Sequence, residues 1–308
     1  MNIMNDHKIY DCFIFYNELD LLEIRLNVLD AVIDKFILVE AKETFSGKPK
    51  DLIFEANKAR FSRFLHKIDY LVIDKFPDVK DNWAREDYQR NYIKEGLTKL
   101  RDDDLVIISD VDEIPNPDTI KSMDTPKSNE VYALEQTMFY YYLNCYCKSR
   151  PDWLGSRIVT YKYFKNPTIA VKPEISDRFV RSSGAANIIR FTKSKVIENG
   201  GWHFSFLGGI NNIISKVQAY AHQENNNEKY LDRSQIIFKI LMGRDIFERP
   251  LRYSFKNIDK SYPEYLIEHK KKYAALIFDT RFLLLRRIGA LIENKFKEIS
   301  GARLSHAR

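Results

Sequence analysis

Short apolar runs alternate with helical patterns between residues 9 and 108, and this alternation constrains the fold more than any other feature. The apolar runs predict strands at residues 9–16, 36–39, 68–73 and 105–108. The intervening patterns predict helices at residues 18–29, 52–65 and 83–100, the first of them capped by Asn17. Strands that alternate with helices form a parallel sheet with right-handed crossovers and helices on both faces. Ligands of such α/β sheets bind beyond the carboxyl ends of the strands.

The pattern changes after Pro115. An aromatic, strand-like run covers residues 130–143, mixed strand and loop signals cover 151–200, and helices return at 211–222 and 234–242. We therefore expect one domain over residues 1–275, with a nucleotide-binding α/β half (1–115) that continues into a mixed α+β acceptor half (116–275). Residues 276–308 are predicted to form a basic amphipathic C-terminal helix.

The fourth predicted strand ends abruptly in carboxylates. It runs directly into Asp110-Val111-Asp112-Glu113-Ile114-Pro115. Alternate residues of a strand point the same way, so Asp110 and Asp112 are expected to face one side together. Two like charges at such a short distance repel each other unless a positive group lies between them. A hard divalent cation, Mg²⁺ or Mn²⁺, is the simplest candidate.

Two classes of metal enzyme use an Asp-x-Asp of this kind. Phosphatases employ it as nucleophile and acid, with the motif close to the N-terminus, and Asp110 would then be the nucleophile. Sugar-nucleotide transferases place it after a nucleotide-binding βα half, which is the position it has here. A solvated acidic turn is the structural alternative, and the buried run before it weakens that interpretation, because three carboxylates that close a core strand are costly unless used.

A second segment, Gly200–Gly209, places His203 among aromatic residues, with a pair of glycines at each end of the segment. Glycines allow a ligand to approach the backbone closely, so His203 is a candidate ligand of a metal or a phosphate. A lone histidine among aromatic residues is more often a hydrogen-bonded core residue, and from the residue pattern alone that interpretation is the better one.

Two further segments carry polar candidates. Glu40 opens a loop after the second predicted strand, where α/β nucleotide binders contact base or ribose, although a plain surface loop is the alternative. Arg85 and Arg90 lie on the predicted helix at 83–100, and arginine suits bidentate contact with phosphate. An exposed helix face laced with ion pairs explains the same pattern.

Together these residues resemble a known family. The resemblance extends over roughly residues 9 to 275, and its motifs occur in the order seen in family 17 glycosyltransferases. The motifs are Asn17-Glu18-Leu19-Asp20-Leu21-Leu22-Glu23-Ile24-Arg25, the Glu40…Thr44…Gly47…Pro49 loop, Trp83…Asp87-Tyr88…Arg90, Asp110 to Pro115, and Gly201-Trp202-His203-Phe204-Ser205.

The resemblance implies a GT-A-like fold, a UDP-sugar donor, a divalent cation (Mn²⁺ or Mg²⁺) and inversion at the anomeric carbon to give a β-linkage. UDP-N-acetylglucosamine is the donor it favours, and a glycan or glycolipid is the expected acceptor. It implies that Asp112 is the firmest metal ligand and that Asp110 contacts metal or ribose. The resemblance also implies that His203 is a ligand of metal or phosphate.

Other roles follow from the same resemblance. Glu40 and either Arg85 or Arg90 are the expected nucleotide contacts. Direct displacement also needs a base for the acceptor hydroxyl. We expect Glu113, beside the assigned Asp112, to be that base; the other carboxylates considered are Glu135, Asp177 and Glu224.

Composition limits the compartment and the partners. Three cysteines without a repeated C-x-x-C favour a reducing compartment, and residues 1–8 lack the apolar core of a signal peptide, so we expect a cytoplasmic enzyme of a microbial or viral type. The net charge of +6 comes from the tail, where residues 243–308 hold 15 Lys/Arg and 8 Asp/Glu. No nucleic-acid partner is predicted, but residues 279–308 are a candidate for contact with an anionic membrane. An ordinary C-terminal helix that packs on the domain and keeps its charges in solvent is the alternative, and the residue pattern favours it. A non-catalytic protein that docks on glycan or membrane through this tail is the remaining alternative.

Overall fold

The structure is a computed structural model that describes residues 7–78, 81–167 and 184–305, the last ten of these by their backbone only. The strands are β1 (Ile9–Phe15), β2 (Lys35–Ala41), β3 (Ile68–Ile73), β4 (Leu105–Asp110), β5 (Glu113–Pro115), β6 (Tyr132–Tyr140), β7 (Cys145–Cys147), β8 (Asp152–Thr160), β9 (Lys195–Ser205) and β10 (Tyr253–Phe255). The helices are α1 (Leu19–Leu29), α2 (Ile53–Ala56), α3 (Asn82–Asn91), α4 (Pro117–Ser122), α5 (Tyr161–Lys165), α6 (Ala185–Phe191), α7 (Gly209–Ala219), α8 (Glu228–Leu231), α9 (Arg233–Leu241), α10 (Glu264–Glu268) and α11 (Leu283–Ser305). Short 3₁₀ turns cover Lys58–Phe64, Tyr92–Gly96, Gln223–Asn225 and Ala274–Leu276.

One mixed sheet of ten strands runs through the described part of the chain. Its main path has the order β10-β7-β6-β8-β4-β1-β2-β3, and β9 pairs with both β5 and β6. The strands β4, β1, β2 and β3 run parallel to one another, as strand–helix alternation requires. The predicted α/β class, with helices on both faces of the sheet, is confirmed.

The two faces of the parallel part are covered by different core clusters. Phe13, Leu38 and Ile107 point to one face, where they pack with residues of α1 such as Leu22. Their sequence neighbours Cys12, Ile37 and Ile108 point to the other face. The period of two along each strand explains this division, and it accounts for the nearly continuous apolar runs in the sequence.

Some predicted element boundaries were wrong. The long helix expected at 83–100 ends at Asn91 and tightens into a 3₁₀ turn that stops at Gly96. A Cβ at Gly96 would lie 2.7 Å from a methyl group of Ile37, so this position admits no ordinary side chain. Glu18, and not Asn17, occupies the N-cap position of α1; its carboxylate makes no capping bond to the helix and accepts the backbone N–H of Asn17 at 3.0 Å.

The second half of the chain extends the same sheet. Strand β8 pairs antiparallel with β4, and β6 pairs with β8 and, in parallel, with β9. The short β5 pairs with β9 so that Glu113 lies opposite His203. This pairing brings the segment around His203 to the end of β4, although about ninety residues separate them in sequence. The division into halves at residue 115 stays a prediction.

The C-terminal helix α11 covers Leu283–Ser305, which lies within residues 276–308, where the sequence predicted a C-terminal helix. In the parts of the chain that the structure describes, no helix combines the length and apolarity needed to cross a membrane.

Candidate active site

A cleft of about 500 Å³ opens beyond the carboxyl ends of β1 and β4. Its near wall comes from the strand ends, the loop after β2, and α3. Its far wall comes from β6, β9, α7 and the segments that follow. The near wall includes Phe15, Tyr16, Glu18, Thr44, Phe45, Glu86, Arg90, Asp110 and Asp112, and the far wall includes Tyr140, His203, Phe206, Lys216, Tyr220, Glu224, Phe247 and Arg249. This is the position at which α/β sheets bind ligands.

Asp112 is a buried carboxylate that lies between two positive or potentially positive groups. Lys216 Nζ donates to Asp112 Oδ2 at 3.0 Å, and His203 Nε2 lies 3.6 Å from Oδ1. Burial alone would raise the pKa of Asp112, but Lys216 and His203 outweigh it and hold the pKa far below its ordinary value. The same contact raises the pKa of Lys216, against the effect of its own burial. Asp112 is therefore ionised at any physiological pH.

Asp110 faces two arginines. Arg90 Nη1 donates to Asp110 Oδ1 at 2.6 Å, and Arg190 Nη2 donates to Oδ2 at 3.1 Å. Burial raises the pKa of this carboxyl, whereas the two guanidinium groups lower it to a net value of about 2. Asp110 and Asp112 line one cleft, as the sequence predicted, but each has its own cationic partners. The strand ends at Asp110, and residues 111 and 112 form the turn into β5.

A buried arginine fixes the backbone of this turn. Arg25 of α1 is fully buried, and it forms a two-bonded ion pair with Asp11 of β1 at 2.8 and 2.6 Å. Its Nη1 also donates to the carbonyl oxygens of Asp110 and Glu113, at 3.1 and 2.6 Å. The turn is thus held by a side chain that does not line the cleft. Charge-assisted bonds of this kind restrict the positions of both aspartates.

Glu113 is not available as a base, contrary to the sequence expectation. Its side chain is fully buried and absent from the cleft lining. Arg190 donates to both carboxylate oxygens at 2.6 and 2.5 Å, the Trp153 indole donates at 2.7 Å, and the Asp110 backbone N–H donates at 3.0 Å. A carboxylate with four donors has no free lone pair for an acceptor hydroxyl. Glu113 instead holds Arg190 and the start of the motif in place.

The other expected base candidates differ in whether they line the cleft. Glu135 is absent from the cleft lining, and Asp177 lies outside the described residues. Glu224 lines the cleft and lies 2.5 Å from His222 Nδ1.

Glu40 and Arg85, expected nucleotide contacts, do not line the cleft. Glu40 is fully buried and accepts the backbone N–H groups of Ile53 and Phe54, at 2.6 and 3.1 Å, so it caps α2. Arg85 donates to the carbonyl of Phe45 at 3.2 Å, inside the loop after β2. Both residues support that loop, and the loop itself reaches the cleft through Thr44 and Phe45.

In the 200–209 segment, Gly200 and Gly201 lie against the backbone of neighbouring strands. Gly201 has φ +133°, and a Cβ there would lie 2.1 Å from the carbonyl oxygen of Ile114. The expected close approach at this position is therefore made by β5 and not by a ligand. This contact lets β9 carry His203 to the cleft.

His203 has the features of a ligand for a cation. It is nearly buried, its ring packs on Trp153 with centroids 4.8 Å apart, and its Nδ1 has no hydrogen-bond partner among the described residues. The 3.6 Å between His203 Nε2 and Asp112 Oδ1 would allow both atoms to lie about 2.1 Å from one cation. A carboxylate oxygen and an imidazole nitrogen suit Mn²⁺. Among the described residues, however, no group of three or more His, Cys, Asp or Glu side chains is arranged to hold a metal. As far as the described residues go, further coordination positions are left to substrate or water.

Sequence reasoning missed Lys216, Arg190, Arg25 and Trp153 as members of the site. Each comes from an element far in sequence from Asp110, and Lys216, Arg190 and Trp153 have no local motif. Arg25 is the last residue of the family motif at residues 17–25, but the sequence suggested no role for it. Its place in that motif was the only signal that could have identified it.

A family model described as "Glycosyltransferase family 17" matches residues 2–278. The beta-1,4-mannosyl-glycoprotein 4-beta-N-acetylglucosaminyltransferase of Homo sapiens is 36% identical over 112 residues, which cover 34% of this chain and 21% of that enzyme. The enzyme of the same name from Mus musculus is 35% identical over the same extent. The match thus spans about a fifth of the length of these relatives.

Solved structures show weaker likeness. A mannosyltransferase from Pyrobaculum calidifontis, in complex with GDP-Man and Mn²⁺, aligns with 97% of this chain and 80% of its own at 12% identity and a TM-score of 0.37. The inositol-1-phosphate CTP transferase from T. maritima covers 62% of this chain and 85% of its own at 10% identity and a TM-score of 0.35.

Proposed function

This chain belongs to glycosyltransferase family 17, and from that premise we propose that it transfers a sugar from a nucleotide-sugar donor to a hydroxyl of a glycan or glycolipid acceptor. The observation that supports this most directly is the ionised Asp112 beside Lys216 and His203, in a cleft beyond the carboxyl ends of β1 and β4. A leaving nucleoside diphosphate gains negative charge during transfer, and preorganised positive groups stabilise that charge.

We propose UDP-N-acetylglucosamine as the donor. Support comes from the related enzymes of Homo sapiens and Mus musculus, which are named as N-acetylglucosaminyltransferases and match about a third of this chain. The phosphates would lie toward Asp112 and Lys216. The sugar-nucleotide would lie along the loop that contributes Thr44 and Phe45, next to Tyr16 at the end of β1.

We propose Mn²⁺ or Mg²⁺ as the cofactor, held by Asp112 and His203, with Asp110 close by. When bound, a divalent cation neutralises charge on the leaving diphosphate. Lys216 contributes a fixed positive charge at the same place, and Arg90 and Arg190 keep Asp110 ionised beside it.

We propose direct displacement with inversion, which needs a base for the acceptor hydroxyl. Of the three described carboxylates considered from sequence, Glu113, Glu135 and Glu224, only Glu224 lines the cleft. We therefore propose Glu224 as the base. Tyr220 and Phe247 lie on the same wall, and their rings offer apolar faces to an acceptor sugar.

A phosphatase that uses Asp110 as nucleophile is less well supported. Arg90 and Arg190 each donate to one oxygen of Asp110, and these two ion pairs lower the nucleophilicity of the carboxylate toward a phosphorus atom. The non-catalytic alternative does not explain why a buried, ionised Asp112 faces a cleft.

Removing the charge of Asp112 tests the proposed function. Asp112→Asn should lower Mn²⁺-dependent release of UDP from UDP-N-acetylglucosamine by about 10²-fold or more, since the loss of one preorganised charge costs that much in comparable sites. The measurement is UDP release with and without acceptor glycans, and with EDTA in place of Mn²⁺. Asp118→Asn, at an exposed carboxylate of α4, is the matched control and should react like the parent. Parent-like turnover by Asp112→Asn, with an unchanged melting temperature, would show the proposal to be wrong.

The base has a separate test. Glu224→Gln should lower sugar transfer to an acceptor much more than it lowers affinity for the donor, because the base acts on the acceptor hydroxyl. Glu135→Gln, outside the cleft, is the control and should leave both unchanged. Equal transfer rates in the two variants would exclude Glu224 as the base.

A further inference from the structure

Helix α11 packs on the domain through a partly polar side. Leu283, Arg287, Ala290 and Asn294 are its half-buried residues, and their spacing places them on one helical face. Arg287 Nε donates to the carbonyl of Leu241 at 2.7 Å, and the Gln235 amide donates to Asn294 at 3.2 Å. The helix is thus fixed to α9 partly by hydrogen bonds.

The outward side of the same helix is apolar. Its exposed apolar residues are Leu284, Leu285, Ile288, Leu291 and Ile292, here called the apolar stripe. Their spacing of i, i+1, i+4, i+7 and i+8 makes the stripe continuous along one face. Each of these side chains is between 45% and 71% exposed, and Phe282, just before the helix, is 55% exposed. A globular helix normally turns such a face to the core, so this arrangement indicates a partner for the stripe.

Positive charge accompanies the stripe. Residues 281–308 contain seven Lys/Arg and two Asp/Glu. Arg281, Arg286 and Lys295 are exposed in the described part of this segment. Arg281 pairs with Asp279, and Arg286 donates to the Asp279 carbonyl, so both lie at the start of the helix. A basic helix with one apolar face is the composition of helices that lie in a membrane interface.

We infer that α11 docks the chain on an anionic lipid surface, with the apolar stripe inserted between headgroups and the basic residues on the lipid phosphates. Charge favours this occupant over a second copy of the chain. Two copies joined through the stripe would bring two sets of like charges together, whereas anionic lipids neutralise them. Such docking would hold the cleft near a lipid-linked acceptor, which goes beyond the proposed transfer reaction.

Vesicle binding by the full chain tests the inference. Sedimentation with vesicles of phosphatidylglycerol and phosphatidylcholine is compared with vesicles of phosphatidylcholine alone. We expect at least tenfold tighter binding to the anionic vesicles, weakened by added salt because exposed charges are screened. Asp112→Asn should bind vesicles like the parent, which separates this result from the fate of the proposed reaction.

A pair of matched variants tests whether the apolar stripe makes the contact with the vesicle. The stripe variant combines Leu285→Gln, Ile288→Gln and Ile292→Gln, and the control variant combines Leu65→Gln, Leu154→Gln and Val196→Gln, which are exposed apolar residues elsewhere. The stripe variant should lose at least tenfold in vesicle affinity, and the control variant should bind like the parent.

A third measurement does not depend on weakening the helix. Phe282→Trp places an indole beside the stripe, and its fluorescence should shift to the blue and be quenched by brominated lipid after subtraction of the parent spectrum. Equal binding to anionic and neutral vesicles, no binding, or unchanged Phe282→Trp fluorescence would overturn the inference. So would self-association of the parent that the stripe variant abolishes while vesicle binding is absent, because the stripe would then be a dimer interface.

Discussion

Three neighbouring carboxylates at the end of β4 have three different environments. Asp110 lies between Arg90 and Arg190, Asp112 lies between Lys216 and His203, and Glu113 is fully buried under four donors. Their types and spacing are the same in any Asp-x-Asp-Glu sequence. Their roles differ because each faces a different remote element, so a residue's chemistry here follows from its partners.

Acid should weaken the fold through Asp110. Burial raises its pKa, but the two arginines lower it from 3.8 to about 2. Because the folded pKa lies below the unfolded one, this carboxylate adds stability above about pH 4 that is lost as the pH falls toward about 2. In Asp110→Asn the decline in the free energy of unfolding between about pH 5 and pH 2 should be shallower by on the order of 2 kcal/mol.

Urea unfolding at several pH values measures this decline. Asp118→Asn, whose side chain is exposed, is the control and should keep the slope of the parent. A parent-like slope in Asp110→Asn would mean that the arginines do not stabilise the folded carboxylate.

At the scale of elements, the site depends on the pairing of β5 with β9. This short antiparallel pair places Glu113 opposite His203 and crosses at Gly201, where φ is +133°. A glycine fits because a side chain would meet backbone atoms of Ile114 and Asn116, which cannot move away without breaking the pair.

Substitution at Gly201 should therefore lower the stability of the fold strongly. Gly201→Ala would place a Cβ 2.1 Å from the Ile114 carbonyl oxygen and should cost roughly 2–4 kcal/mol of stability. Gly289→Ala is the contrasting variant, because nothing lies within 4 Å of a Cβ at that helical position. It should stabilise the chain by about 0.5–1 kcal/mol. Thermal unfolding compares the two, and similar melting temperatures would contradict the proposed role of the contact.

At the scale of the whole molecule, one sheet joins the two halves that the sequence distinguishes. Strand β4 pairs with β1 on one side and with β8 on the other. Arg190 from the second half neutralises Glu113 from the first. A cut at residue 115 would expose the edge of β4 and leave a buried carboxylate without its cation, and both changes are costly.

A fragment of residues 1–115 should accordingly fail to fold on its own. We expect no cooperative urea transition in its far-ultraviolet circular dichroism. The full chain should unfold in one transition that coincides with the one seen by tryptophan fluorescence. A cooperative transition in the fragment would mean that the first half is an independent domain.

The sequence predicted those parts of the fold and site that depend on neighbouring residues. Strands β1 to β4, the α/β class and the position of Asp110 and Asp112 follow from local apolar runs and from a motif at a strand end. The motifs also predicted the family, because several of them occur in a fixed order. Local patterns were enough here, because burial on both faces of a parallel strand leaves a clear mark on the sequence.

The tertiary structure decided which residues meet. Lys216 and Arg190 reach the motif from α7 and α6, and no local pattern indicates either of them. Glu113, a sequence neighbour of Asp112, turned out to be buried, because the chain turns into β5 at that residue. Glu40 likewise caps α2 because tertiary contacts, and not its sequence neighbours, decide where its side chain lies. The direction of a side chain at a strand end depends on the turn that follows and on long-range strand pairing, and these are fixed only when the whole sheet forms.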